Sequence, residues 1–200
     1  MTSPFAYPPF PHVRRHGPRG CADHASYRPW LRDEFTFCCV YCLRREAWEL
    51  VRGAFAVDHF VPVALRPELA TEYDNLVYAC ETCNAVKGAR ELPDPTAVLL
   101  RDDVRVEEDG TVSGDTPEAR RLIRVLGLDD PEYTEFRRLW IDIVALAARH
   151  NPELHARLMG FPDDLPNRMD LVPPDGNARP DGVRASYSEL RARGELPAIY

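Results

Sequence analysis

Four cysteines fall in two matched pairs, Cys39-Val40-Tyr41-Cys42 and Cys80-Glu81-Thr82-Cys83, separated by 37 residues. A C-x-x-C turn brings two thiolates onto one ion with little strain, and two such turns supply the four soft ligands of a tetrahedral zinc centre. A Cys₄ set closes the coordination sphere, so the ion it implies is structural Zn²⁺. The alternative is four unrelated buried cysteines behaving as small apolar residues. A redox C-x-x-C fits less well, because neither pair opens a helix in a βαβ context. Cys38 offers a second register with Cys42, leaving open which of Cys38 and Cys39 faces the ion. Cys21, near His16 and His24, is a weaker second grouping.

A second set of residues lies between and just after the pairs. Asp58 and His59 are adjacent, Asn75 follows 16 residues after His59, and Asn84 and Lys87 come just after Cys83. Neighbours at a strand end point to opposite sides, so Asp58 and His59 can do two different jobs. One carboxylate plus a helix-borne amide oxygen leaves most of a hard cation's sphere open to water and phosphate oxygens, as Mg²⁺ is held in phosphoryl-transfer sites. A neutral imidazole beside it can take a proton from water. Taken one at a time, the same residues also read as a turn cap, a half-buried histidine and two turn asparagines.

These residues need elements to hold them. Residues 54–57 read as a short strand, 76–79 as a second, and 81–91 as a short helix stopped near Pro93, giving strand, loop, strand, helix. The first cysteine pair precedes the first strand and the second spans the step into the helix. Zinc would therefore staple both ends of a unit with little core of its own, contributing on the order of 10 kcal/mol to folding. Downstream, Asp109-Gly110 marks a hairpin between residues 104–106 and 111–112. Thr116-Pro117 opens a helix ended by Gly127, Asp130-Pro131 opens a longer one with Leu139, Ile143, Leu146 and Ala147 on one face, and Asn151-Pro152 a third. The expected organisation is a Pro/Arg-rich arm (1–29), a zinc-stapled core (30–92), a hairpin with helices packing on or beside it (93–160), and a Pro-rich tail (161–200). The arm reads as a surface strap or, through Arg14, Arg15, Arg19 and Arg28, as a contact to a phosphate backbone.

The order FCCVYC, AFAVDHFVP, YDNLVYACETCNAVKG resembles the HNH endonucleases, the ββα-metal nuclease superfamily, in its bacterial Cys₄-zinc form. The resemblance covers about residues 30–90 and extends loosely into the flanks. It implies an α+β fold: a small zinc-stapled ββα-metal nuclease core with an α-helical C-terminal part. It implies a metal-dependent endonuclease hydrolysing phosphodiester bonds of DNA, RNA being the other substrate open to it. Residue by residue, Asp58 and Asn84 become ligands of a catalytic Mg²⁺ or Mn²⁺. His59 becomes the general base, and Asn75 the brace of the inter-strand loop. Lys87 becomes a phosphate contact, with a solvated surface lysine as its alternative, and Cys39, Cys42, Cys80 and Cys83 become the zinc ligands. The family often has His where Asn84 stands. HNH proteins also occur in bacterial defence and mobile-element assemblies, where an acidic helical part can dock on a protein partner. The competing class is a zinc-stabilised nucleic-acid or protein-binding module without catalysis.

Charge sharpens this reading. The chain of 200 residues carries a net −7, with 25 Lys+Arg against 32 Asp+Glu, which by itself argues against a nucleic-acid partner. Residues 1–92 nevertheless hold 11 basic and 11 acidic side chains, so the deficit belongs to residues 93–200. The net charge implies weak, salt-sensitive binding by the isolated chain, or a partner that holds the substrate. Prolines interrupt any apolar run near the N-terminus, and no stretch is long enough to span a bilayer, so the expectation is a cytoplasmic protein without a membrane partner.

Overall fold

A computed structural model describes residues 3–49, 54–167 and 170–200. Helix α1 (Arg28–Glu34) precedes the antiparallel hairpin β1 (Phe55–His59) and β2 (Leu76–Cys80), and α2 (Glu81–Lys87) follows directly. Next come α3 (Pro95–Val98), the hairpin β3 (Val104–Val106) and β4 (Val112–Gly114), and the helices α4 (Pro117–Val125), α5 (Pro131–His150) and α6 (Pro152–Met159). Two short helices, α7 (Asp181–Arg184) and α8 (Tyr187–Ala192), lie in the tail. The fold is α+β, with two separate two-stranded sheets among the described residues. Among the described residues, no helix is long and apolar enough to cross a membrane.

The register of the first hairpin runs from Phe55↔Cys80 to His59↔Leu76, which sets the cysteine end and the histidine end at opposite extremes of one ribbon. β2 is buried at all five positions, as its unbroken apolar run requires, while in β1 only Phe55 and Asp58 are buried. Cys80 is the N-cap of α2, its Sγ accepting from the Cys83 N–H at 3.4 Å. Gly88, at φ +53°, ends the helix in a conformation that L side chains rarely adopt. The expected helix over 81–91 thus stops after seven residues. α4 is capped by the Thr116 side chain on Ala119 N–H and buries Ala119, Leu122 and Ile123 against the core.

On α5 only part of the expected apolar face is buried: Ala147 points inward and Ile143 is half-buried. Leu139 and Leu146 are 53% and 57% exposed, and the helix turns Arg137 and Val144 inward with Ala147. The reason is a buried cation: Arg137 Nε donates to Gly110 O at 2.6 Å and Nη2 to Leu128 O at 2.7 Å, locking the helix rotation onto the 107–110 turn. Trp140 stacks on Trp48 with centroids 4.3 Å apart and planes at 6°.

The arm is also more deeply woven than a surface strap. Phe5, Tyr7 and His16 are buried, Phe5 contributing about 1.5–3 kcal/mol by leaving water. Three of its four early arginines bind protein backbone: Arg14 Nη2 to Leu76 O at 2.7 Å, Arg15 to Asp33 O, and Arg28 to Phe55 O. Only Arg19 remains exposed for another partner. The tail pairs with the arm at Pro18↔Asn177, with Ala178 N–H donating to Gly17 O at 2.7 Å.

Candidate active site and metal centre

At the cysteine end, Sγ atoms of Cys39, Cys42, Cys80 and Cys83 all lie within 4.8 Å of one another, and all four residues are buried. The Cys42–Cys80 sulfurs are 3.7 Å apart. Zinc–thiolate bonds of about 2.3 Å in a tetrahedron require sulfurs about 3.8 Å apart, so the donor set fits Zn²⁺. Cys38 stands outside the group: its backbone bridges to Arg45 and its thiol is pushed up to about 11 by burial. The register is therefore Cys39 with Cys42. Hydrogen bonds from the other three thiols hold Cys80 far below the usual thiol range, while burial drives Cys39 well above it. Four thiols converging on one point supply the soft donors a divalent cation such as Zn²⁺ prefers. Among the described residues this is the single cluster of its kind, so Cys21, His16 and His24 form no second one. Tyr133 of α5 closes the centre, its hydroxyl 3.4 Å from Cys83 Sγ.

The other end is organised around two neighbours on β1. Asp58 is 5% exposed, and both carboxylate oxygens have partners: Tyr41 O–H donates to Oδ2 at 2.7 Å, and Lys87 Nζ donates to Oδ1 at 3.0 Å. Lys87 is 1% exposed and also donates to His59 O at 2.6 Å. The surface-lysine alternative therefore fails. The ammonium points inward, away from where a phosphate backbone could reach, because the Asp58 charge and two carbonyls satisfy it there.

His59 is half-buried, and its Nε2 lies 2.8 Å from Ala70 O. A carbonyl only accepts, so Nε2 carries the proton and Nδ1 keeps the lone pair. Burial lowers the imidazole's pKa, opposed by the Ala70 hydrogen bond and reinforced by nearby His24. The histidine is thereby held neutral near pH 7 with one nitrogen available as a base.

Asn75 stands behind this arrangement. Its Oδ1 accepts from Val61 N–H at 3.0 Å, and its Nδ2 donates to Val61 O at 3.1 Å and Leu69 O at 3.4 Å. These bonds pin both arms of the 60–75 loop beside Ala70, whose carbonyl aims His59. Asn84 lies one turn before Lys87 on the same face of α2 and is half-buried. Its side chain makes no hydrogen bond among the described residues.

Two side chains in this neighbourhood escaped the sequence reading. Tyr41 lies inside the first C-x-x-C turn, and nothing in its spacing pointed toward Asp58. His24, grouped with Cys21 by proximity in sequence, places its ring 4.7 Å from that of His59. Both contacts join segments at least 17 residues apart, which no local pattern encodes.

No curated protein matches the chain. Residues 39–90, the segment running from the first zinc-facing cysteine through Asp58, His59, Asn75 and α2, match the family model described as HNH endonuclease. This stretch, with its four buried cysteines converging on one point, is similar to the HNH endonuclease domains, a nuclease family.

Proposed function

We propose that the protein is a metal-dependent endonuclease that hydrolyses DNA phosphodiester bonds at the His59 end of the hairpin. The observation that carries this reading is the fixed tautomer of His59: Nε2–H is tied to Ala70 O, and the opposite nitrogen is left as a base next to a buried carboxylate. His59 Nδ1 takes a proton from water as the water oxygen attacks phosphorus in line. The bond to the 3′-oxygen breaks, that oxygen takes a proton from solvent to leave as a 3′-hydroxyl, and the other product carries a 5′-phosphate.

Asp58 and Asn84 suit a hard divalent ion. Each Asp58 oxygen has one partner and keeps a lone pair, and the Asn84 amide has no other hydrogen bond to satisfy. Mg²⁺ or Mn²⁺ held there would stabilise the negative charge that builds on the phosphate and the leaving oxygen. Lys87 is a positioning residue in this account, fixing Asp58 and the His59 carbonyl together from α2. Asn75 positions His59 through the loop that presents Ala70.

The test is nicking of supercoiled plasmid in Mg²⁺ by the wild-type chain and His59→Ala. Loss of a general base should slow cleavage by about 10²- to 10⁴-fold. Equal rates would remove His59 from the mechanism. DNA binding without nicking by either protein would identify a zinc-stabilised binding module instead, and cleavage of RNA alone would reassign the substrate.

A further inference from the structure

The zinc centre and the candidate active site are joined by hydrogen bonds, and the joint is Tyr41. This side chain is fully buried, and its phenol donates to Asp58 Oδ2 at 2.7 Å. It is the third residue of Cys39-Val40-Tyr41-Cys42, so two flanking thiolates on one ion would fix the backbone from which the ring projects. The turn is held further by Val40 N–H on Tyr78 O at 2.9 Å and by Tyr7 O–H on Tyr41 O at 2.7 Å. The other Asp58 oxygen is held by Lys87, which lies on the helix that starts at Cys80 and carries Cys83. Both partners of the carboxylate are therefore borne by segments that the cysteine tetrad pins.

We propose that Tyr41 is a positioning residue that aims the Asp58 carboxylate, and that through it the structural zinc sets the geometry of the site where the catalytic divalent ion binds. The proposal rests on the assignment of Asp58 as a ligand of that ion. A free carboxylate samples several rotamers, and freezing it before an ion arrives removes that cost from binding. A neutral phenol does this without adding to the positive charge that Lys87 already sets against Asp58. Side chains that hydrogen-bond a metal ligand typically change affinity or activity by about 10- to 100-fold when removed.

The experiment compares the zinc-loaded wild-type chain with Tyr41→Phe and Tyr7→Phe. Zinc content is read by elemental analysis, Mn²⁺ binding by electron paramagnetic resonance titration, and plasmid nicking by its kcat and KM. Tyr41→Phe should keep one zinc per chain and the wild-type KM for DNA. Its Mn²⁺ binding should weaken by about 10-fold or more, with a matching fall in kcat. Tyr7→Phe, which leaves the Asp58 bond in place, should change Mn²⁺ binding much less. Unchanged Mn²⁺ binding in Tyr41→Phe would overturn the proposal. So would loss of zinc along with Mn²⁺ binding, since the tyrosine would then serve the fold alone. A wild-type chain that neither binds Mn²⁺ nor cuts would instead refute the nuclease reading beneath it.

Discussion

At the Phe55–Cys80 end of the first hairpin, four thiols are shut away from water and sealed by Tyr133. At the His59–Leu76 end of the same five-residue ribbon, an imidazole stays half-exposed with one nitrogen unbound. The first end has every ligand position filled by protein, leaving a bound ion nowhere to accept a substrate. The second, in the proposed reading, would offer a carboxylate, an amide and a base, and leave most of an ion's sphere to water and phosphate. Closure suits a structural centre and access suits a reactive one. The 60–75 loop keeps the open end from collapsing, with Asn75 satisfying backbone groups that would otherwise be stranded.

The contrast can be broken most severely at the closed end. Cys80→Ser removes one thiolate while keeping a side-chain acceptor at the N-cap of α2, so it forfeits much of a zinc contribution on the order of 10 kcal/mol. Elemental analysis and circular dichroism should show zinc lost and the cooperative melt abolished. At the open end, His59→Ala should leave zinc content and melting temperature close to wild type while nicking falls by about 10²-fold or more. If the two substitutions gave the same phenotype, the two ends would not be functionally distinct.

Smaller effects come from groups that support the open end. Burial alone would raise the pKa of Glu34, but hydrogen bonds from His12, Arg15 N–H and His16 N–H bring it down to about 2 from its ordinary 4.5. Tyr73, in the turn before Asn75, donates to the same carboxylate at 3.0 Å. A depressed carboxylate stabilises the fold fully above its unfolded pKa and loses that contribution as pH falls toward its folded one. The contribution is about 3 kcal/mol at most. The gap in melting temperature between wild type and Glu34→Gln should therefore be constant above about pH 5 and shrink between pH 4.5 and 2. A gap independent of pH would contradict the assignment. Asn75→Ala strands Val61 N–H and the Val61 and Leu69 carbonyls. Chemical denaturation should register a loss of about 1–3 kcal/mol, with nicking reduced more than stability alone explains.

How much of this was legible in the sequence follows from the range of each interaction. The strand–loop–strand–helix order was, because short apolar runs, the paired cysteines and Gly88 act within a few residues. The caps at Thr116 and Asn151 were legible for the same reason. Of the inward face of α5, Ala147 was legible but Arg137 and Val144 were not. Arg137 reads as a surface residue until a turn 27 positions away offers it carbonyls. Lys87 misled in the same way, since its partner Asp58 lies 29 residues upstream. Arginines of the arm looked free for phosphate, yet Arg14 reaches Leu76 across 62 residues. Buried charges are where local pattern fails, because their burial is decided by a distant group that satisfies them.

The central claim is that one chain holds two metal centres of opposite character, and a single chelation series addresses it. Zinc content and plasmid nicking are followed on the same sample through mild EDTA treatment and re-addition of Mg²⁺. The account predicts that nicking stops while one zinc per chain and the melting transition persist, and that Mg²⁺ restores cleavage. Cleavage that survives chelation, or that disappears only as zinc and fold are lost together, would contradict it.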